Sequence, residues 1–170
     1  MAYTIRDFAA SDAPALAELT LAAIHDVGLA RYNEAQTQAW AARHHDPERF
    51  LKRVAKGARI WVAVTENDEP AAYALLETEW EPSGSASGHL DMLYCHPDHT
   101  RKGLADMLLS HAESSARSDQ LTRLFTEASD LARPAFERAG YTVQHRRDFT
   151  IEHEGCAVPI QNYAMEKRLT

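Results

Sequence analysis

The chain has 170 residues, 45% of them hydrophobic and 25% charged, a balance that supports a sizeable core and excludes extended disorder. Its net charge of −7 opposes general affinity for nucleic-acid phosphates. No apolar run approaches the roughly 20 residues of a membrane span, and the start MAYTIRDFAASD lacks the blocks of a signal peptide, so a cytoplasmic location without membrane attachment is expected.

Residues 3–8 alternate into a short strand. Ser11 and Asp12 before Pro14 mark a helix start, and Leu16, Leu19, Thr20, Ala23 and Ile24 give that helix an apolar face toward Gly28. Residues 33–56 read as two helical pieces, one from Asn33 through Trp40 and one beginning after Asp46-Pro47, with Gly57 as a stop. Residues 59–65 and 70–79 form two strands of a hairpin around Asn67-Asp68, and residues 82–88 read as a flexible connection. A buried strand at residues 90–95 ends at His96-Pro97-Asp98. A helix then begins near Gly103, with Leu104, Met107, Leu108 and Ala112 at helical spacing. Further elements are a strand at 121–126, a helix around 133–139 stopped by Gly140, a strand at 141–152 and a last strand near 158–167. Such interleaving predicts an α/β layer structure in one domain spanning residues 1–170.

The most informative segment is LDMLYCHPDHTRKGL, residues 90–104, in which a strand leads through a basic glycine turn into a helix. The first turn of a helix carries unpaired N–H groups and a positive dipole end. Gly103 removes a Cβ from that approach, while Arg101 and Lys102 add charge, so the expected ligand is a pyrophosphate. Neither a Gly-x-x-x-x-Gly-Lys-Ser/Thr nor a dinucleotide Gly-x-Gly-x-x-Gly pattern is present, which argues against an ordinary nucleotide.

Residues 100–105, TRKGLA, resemble the acyl-CoA signature Gln/Arg-x-x-Gly-x-Gly/Ala of the GNAT N-acetyltransferase superfamily, with Thr100 departing from its first position. The segment 121–141, ending Ala135-Phe136-Glu137-Arg138-Ala139-Gly140-Tyr141, is similar to the family's later strand and helix. Gln36 to Trp40, Trp61 to Val64, Leu90 to Leu93, Glu127 to Ser129 and Asn162 to Met165 extend the resemblance over nearly the full length, within a YafP-like branch. The resemblance implies a mixed, mostly antiparallel sheet whose two central parallel strands splay apart to admit acetyl-CoA as co-substrate. It implies direct transfer to a primary amine of a small molecule or protein, with residues 33–56 walling the acceptor site. A non-catalytic acyl-CoA-binding regulatory module is the alternative.

The resemblance assigns the cofactor to Leu93, Tyr94, Cys95, Arg101, Lys102, Gly103, Leu104, Ala105, Ser129, Ala132 and Phe136, with the Leu93 and Cys95 N–H groups polarising the acyl carbonyl. Alternation puts His89, Asp91, Leu93 and Cys95 on one strand face. An unpaired carboxylate in an apolar strand is a good base near neutrality, so Asp91 is the first candidate, His89 the second, with Glu77 and Glu79 as neighbours. Phe136 stands where many members carry an acidic tyrosine; Tyr163 or Tyr141, or solvent, would protonate the leaving thiolate instead. Ser129 reads either as a cofactor contact or as a helix cap. Cys95 and Cys156 read as free thiols, and no metal site is expected, because Cys95-His96-Pro97-Asp98-His99 and His44-His45 lack partner motifs. Tyr32, Trp40, Gln36 and His25 are candidate acceptor-pocket residues, and the C-terminal strands offer an edge for a homodimer.

Overall fold

RIWVAV and PAAYALL are apolar on both faces, so each strand needs cover from both sides. The computed structural model, which describes residues 2–170, supplies it with a seven-stranded sheet between two helical layers. The strands are β1 (Thr4–Asp7), β2 (Arg59–Val64), β3 (Pro70–Trp80), β4 (Ala86–Cys95), β5 (Arg123–Ala128), β6 (Thr142–His153) and β7 (Cys156–Arg168). The helices are α1 (Ala13–Ala22), α2 (Glu34–Ala41), α3 (Glu48–Ala55), α4 (Leu104–Ser118) and α5 (Arg133–Arg138). Sheet order is β1-β2-β3-β4-β5-β7-β6, antiparallel throughout except for the parallel pair β4 and β5. This is the expected mixed α/β architecture.

On one side, α4 crosses β2, β3 and β4 and buries Trp61, Ala74, Leu76, Leu90, Leu108 and Leu124. On the other, α1 and α3 cover Ile60, Val62, Tyr73, Leu75 and Met92. Each large apolar side chain so enclosed contributes about 1.5–3 kcal/mol. Met107, read as part of the inner face of α4, is 38% exposed at the margin of that face. The helical run Ala10–Ala30, 21 residues including a π-turn at Ala23–Val27, is long and apolar enough to cross a membrane by length and composition. It instead lays Leu16, Leu19, Thr20 and Ile24 into the molecule, all 2% exposed or less.

Two features of β4 depart from the sequence reading. The strand begins at Ala86, so most of the expected flexible connection 82–88 is only the turn between Trp80 and Ala86. Gly88 belongs there because a Cβ would sit 2.6 Å from Leu124 Cδ2 and 2.9 Å from Leu76 Cδ1. The second departure is a bulge. Leu75 pairs with Met92 and Leu76 with Leu90, leaving Asp91 as an extra residue. Leu90 therefore faces the α4 core while Met92, two positions on, faces the α1 core. His89 and Asp91 stay together on the α3 side, but Leu93 and Cys95 turn to the α4 side, correcting the single-face expectation.

Candidate functional site

Parallel pairing of β4 with β5 covers only Ser87–His89 against Arg123–Phe125, after which the strands separate. Thr126 Oγ1 donates to Leu90 O at 2.7 Å where the ladder stops. Beyond it, His96 N–H donates to Ala71 O at 2.8 Å, and amide direction alternates along a strand, so the Leu93 and Cys95 N–H groups point into the opening rather than toward β3.

On the α4 side the opening is a cavity of about 280 Å³. Its walls include Leu93, Tyr94, Cys95, Arg101, Gly103, Leu104, Ala105, Ser129 and Ala132, nine of the expected cofactor positions in one place. Arg101 (φ 60°) and Gly103 (φ 79°) are both left-handed, which turns the loop so that successive N–H groups converge. Helical bonding starts only when Met107 N–H donates to Gly103 O at 3.0 Å; the N–H groups from Arg101 to Asp106 have no backbone acceptor among the described residues. Free donors, two nearby cations and an apolar channel fit the phosphate and thioester arm of an acyl-CoA.

Two expected positions differ, Lys102 and Phe136. Lys102 is exposed outside the walls of this cavity, because the turn that aims its backbone inward sends its side chain to solvent. Phe136 is 2% exposed, edge-on to Tyr141 at 5.0 Å, and reaches the second cavity instead. Ser129 Oγ accepts from Ala132 N–H at 3.1 Å and so caps the turn into α5, while still lining the opening. Thr100 Oγ1 donates to Pro97 O at 3.0 Å, holding the loop.

The second cavity, about 570 Å³, opens on the α3 side and shares Trp40, Leu93, Tyr94, Ser129 and Ala132 with the first. Its chemistry is carried by charges. Asp91 and Glu127 line it, as do Arg43, His44, Arg49 and Arg147. Asp91 Oδ2 accepts from Arg53 Nη2 at 2.7 Å, and Arg53 also binds Glu77. Asp91 is therefore a paired carboxylate, not the unpaired one the strand pattern implied. His89 Nε2 lies 2.6 Å from Glu127 Oε2 and 3.7 Å from Asp91 Oδ1, its ring stacked on Phe125 at 4.7 Å. Burial disfavours charge on His89, but the Glu127 hydrogen bond and the charges of Glu127, Asp91 and Glu79 outweigh it and raise its pKa. The same hydrogen bond lowers the Glu127 pKa against the opposing effect of burial. His44 is the reverse case: burial, with Arg49 and Arg43 adding repulsion, brings it down to about 4.

Tyr163 lines neither cavity; its ring lies under the Arg133 guanidinium at 4.5 Å, and Tyr141 Oη is buried without a hydrogen-bond partner among the described residues. Neither is placed to protonate a leaving group. Cys95 is pushed up to about 11 by burial, which makes it a poor nucleophile. Tyr32 and Trp40 wall the second cavity, whereas His25 and Gln36 do not, since Gln36 closes the α2 capping box with Asn33. His89, Asp91 and Glu127 offer ligand atoms within 4.8 Å of one another, a grouping the local sequence did not reveal, but each is engaged in the ion pairs above. Glu127, Arg49, His44 and Arg147 were missed. A charged residue in the strand RLFTEA was the available signal for Glu127; the others carry none.

Residues 28–166 match the family model described as an acetyltransferase (GNAT) domain. The chain is 29% identical over 144 residues to the uncharacterized N-acetyltransferase YafP of Escherichia coli, covering 84% of each. It is 31% identical over 105 residues to the peptidyl-lysine N-acetyltransferase YjaB of Salmonella typhimurium, covering 62% of this chain and 63% of that one. Among solved structures, a GCN5-related N-acetyltransferase from Rhodopseudomonas palustris superposes with a TM-score of 0.82 at 28% identity, over 99% of this chain and 97% of that one. The PaiA N-acetyltransferase of Thermoplasma acidophilum, solved with coenzyme A, shares the fold at a TM-score of 0.78 and 16% identity, over 99% and 100% of the two chains.

Proposed function

This chain belongs to the GNAT acetyltransferase family, and from that premise we propose how its two cavities divide the transfer of an acetyl group from acetyl-CoA to an amine. The observation that carries the reading is a single opening between β4 and β5 with free amide donors on one side and a carboxylate pair on the other.

The donor occupies the α4 side and supplies an activated thioester. The N–H groups of residues 101–106 and the Arg101 guanidinium hold its pyrophosphate, and Leu93, Cys95, Leu104, Ala105 and Ala132 enclose its arm. The Leu93 and Cys95 N–H groups stabilise negative charge developing on the acyl oxygen. Lys102 adds long-range attraction only.

The acceptor amine enters from the α3 side. Glu127, which faces that cavity, relays the proton of the ammonium to solvent, since its pairing with His89 lowers its pKa and keeps it from holding that proton, and Asp91 draws the ammonium in. His89 lies behind them and is a positioning residue that fixes Glu127 through the 2.6 Å contact. Phe136 cannot donate a proton, and Tyr163 lines neither cavity, so water protonates the weakly basic leaving thiolate. The whole of residues 1–170 acts as one domain, since the two cavities share a wall and together draw on residues from Ala23 to Asn162.

The test is calorimetric binding of acetyl-CoA together with amine-stimulated release of CoA thiol. Tight binding with no amine-stimulated release from any acceptor would favour the non-catalytic module; release that Glu127→Gln abolishes and His89→Gln only weakens supports the assignment.

A further inference from the structure

We infer that the acceptor of this enzyme carries a carboxylate as well as its amine, and that Arg49 and Arg147, with Arg43 at the rim, form the seat for that anion. The inference rests on the α3-side cavity being the acceptor site.

It follows from the charges lining that cavity. Both carboxylates on its wall have a cation of their own in contact, Asp91 through Oδ2 with Arg53 at 2.7 Å and Glu127 through Oε2 with His89 at 2.6 Å, which leaves Oδ1 and Oε1 to meet an ammonium. The three arginines are not: among the described residues none of Arg43, Arg49 and Arg147 has a carboxylate within 4.0 Å, in a chain whose net charge is −7. Arg49 and Arg147 are half-buried. Removing a guanidinium from water without a counterion is costly, and sites that bind anions accept that cost in the free protein. The donor cavity likewise holds an arginine without a carboxylate partner among the described residues, the exposed Arg101, beside amide donors suited to phosphate.

Arg49 and Arg147 are also held in place by neutral partners, which orient them without cancelling their charge. Arg147 Nη1 donates to Asn162 Oδ1 at 3.2 Å, and its guanidinium carbon lies 5.4 Å from the Phe149 ring centroid. Arg49 Nη1 donates to Arg43 O and, at 2.8 Å, to His44 Nδ1. That leaves Nε2 as the protonated nitrogen of a neutral His44, a further neutral donor beside the cations. The carboxylates sit on β4 and β5, and Arg49 and Arg147 on α3 and β6 with Arg43 just before α3, so an ammonium and a carboxylate on one small molecule each meet the opposite charge. Phe149, Ile151 and Ile160 leave an apolar wall for the rest of that molecule.

The experiment compares L-amino acids with their carboxamides, pair by pair, and adds a lysine peptide with blocked ends, using thiol release from the full chain with acetyl-CoA. The carboxylate member is expected to be favoured by about 10- to 100-fold in kcat/KM, mainly through KM, as charge-assisted hydrogen bonds to a carboxylate give. Arg147→Gln and Arg43→Gln should each shrink that ratio toward one, whereas Arg168→Gln, away from the cavity, should not. Carboxamides or the lysine peptide used as well as the carboxylates, or a ratio unchanged in both variants, would overturn the inference while leaving acetyl transfer intact. Failure of every amine would count against the transfer reading; calorimetric binding of the same pairs then decides the inference separately, and equal affinity for both members refutes it.

Discussion

The two cavities that meet between β4 and β5 are built in opposite ways. The donor side is made largely of backbone: amides left free by a left-handed turn and by a strand that has lost its neighbour, with apolar side chains between them. The acceptor side is made of side chains, with charges contributed by α3, β4, β5, β6 and the segment joining α2 to α3. A backbone site needs only a few contiguous residues in one conformation and so tolerates Thr100 in place of a family side chain. A side-chain site depends on five elements arriving together, and there a change of one residue changes the chemistry.

The sharpest test of that contrast is Glu127→Gln. Losing the base should lower kcat/KM by roughly 10²- to 10⁴-fold while the affinity for acetyl-CoA, read by calorimetry, stays put. Gly103→Trp is the mirror image. It puts a large side chain at a left-handed residue beside the free amides and should weaken acetyl-CoA binding by about 100-fold, or roughly 2.7 kcal/mol, with the circular dichroism spectrum retained. Equal loss of donor affinity in both variants would erase the division between the sides.

A smaller effect is expected where the sides join. Thr126→Val removes the hydroxyl that donates to Leu90 O and leaves that carbonyl unsatisfied, a loss of about 1 kcal/mol, read as a fall in Tm of about 2–4 °C. An unchanged Tm would show that the strand separation does not need this bond.

The finest test sets two histidines of the acceptor side against each other. The folded pKa of His89 lies above its unfolded value, so its contribution to stability is complete below about pH 6.5 and disappears as pH rises through the raised value. The stability gap between wild type and His89→Gln should therefore narrow with rising pH. For His44 the folded value is about 4, so the unfolded chain binds the extra proton and stability falls as pH drops from 6.5 toward 4. Ring-carbon shifts in an NMR titration should show His89 titrating late and His44 still neutral at pH 5. Coincident titration of the two would contradict the ion-pair geometry.

Much of this molecule is written locally. The strand, turn and helix of residues 90–118, the hairpin of β2 and β3 and the cap at Asn33 all follow from apolar spacing, glycine placement and capping side chains. The donor loop is likewise visible in residues 100–105, because amide convergence is a property of adjacent residues. Strand alternation, by contrast, assumed an unbroken register. The bulge at Asp91 broke it and sent Leu93 and Cys95 away from His89, and nothing in LDMLYC announces the extra residue because it exists only relative to β3.

Tertiary structure alone decided the acceptor side. Arg53 reaches Asp91 across 38 positions and His89 reaches Glu127 across the same distance, which turns a free carboxylate into a paired one and a second-choice base into a positioning residue. Tyr163 fits a hydroxyl-bearing role on paper and loses it to a place under Arg133. The sequence by itself determined the strands, the helices and the phosphate loop, since these depend on short-range periodicity and backbone conformation. Which charges face one another across the opening was left to packing, because the energy of an ion pair depends on a distance that residues far apart in the chain acquire only when the sheet assembles.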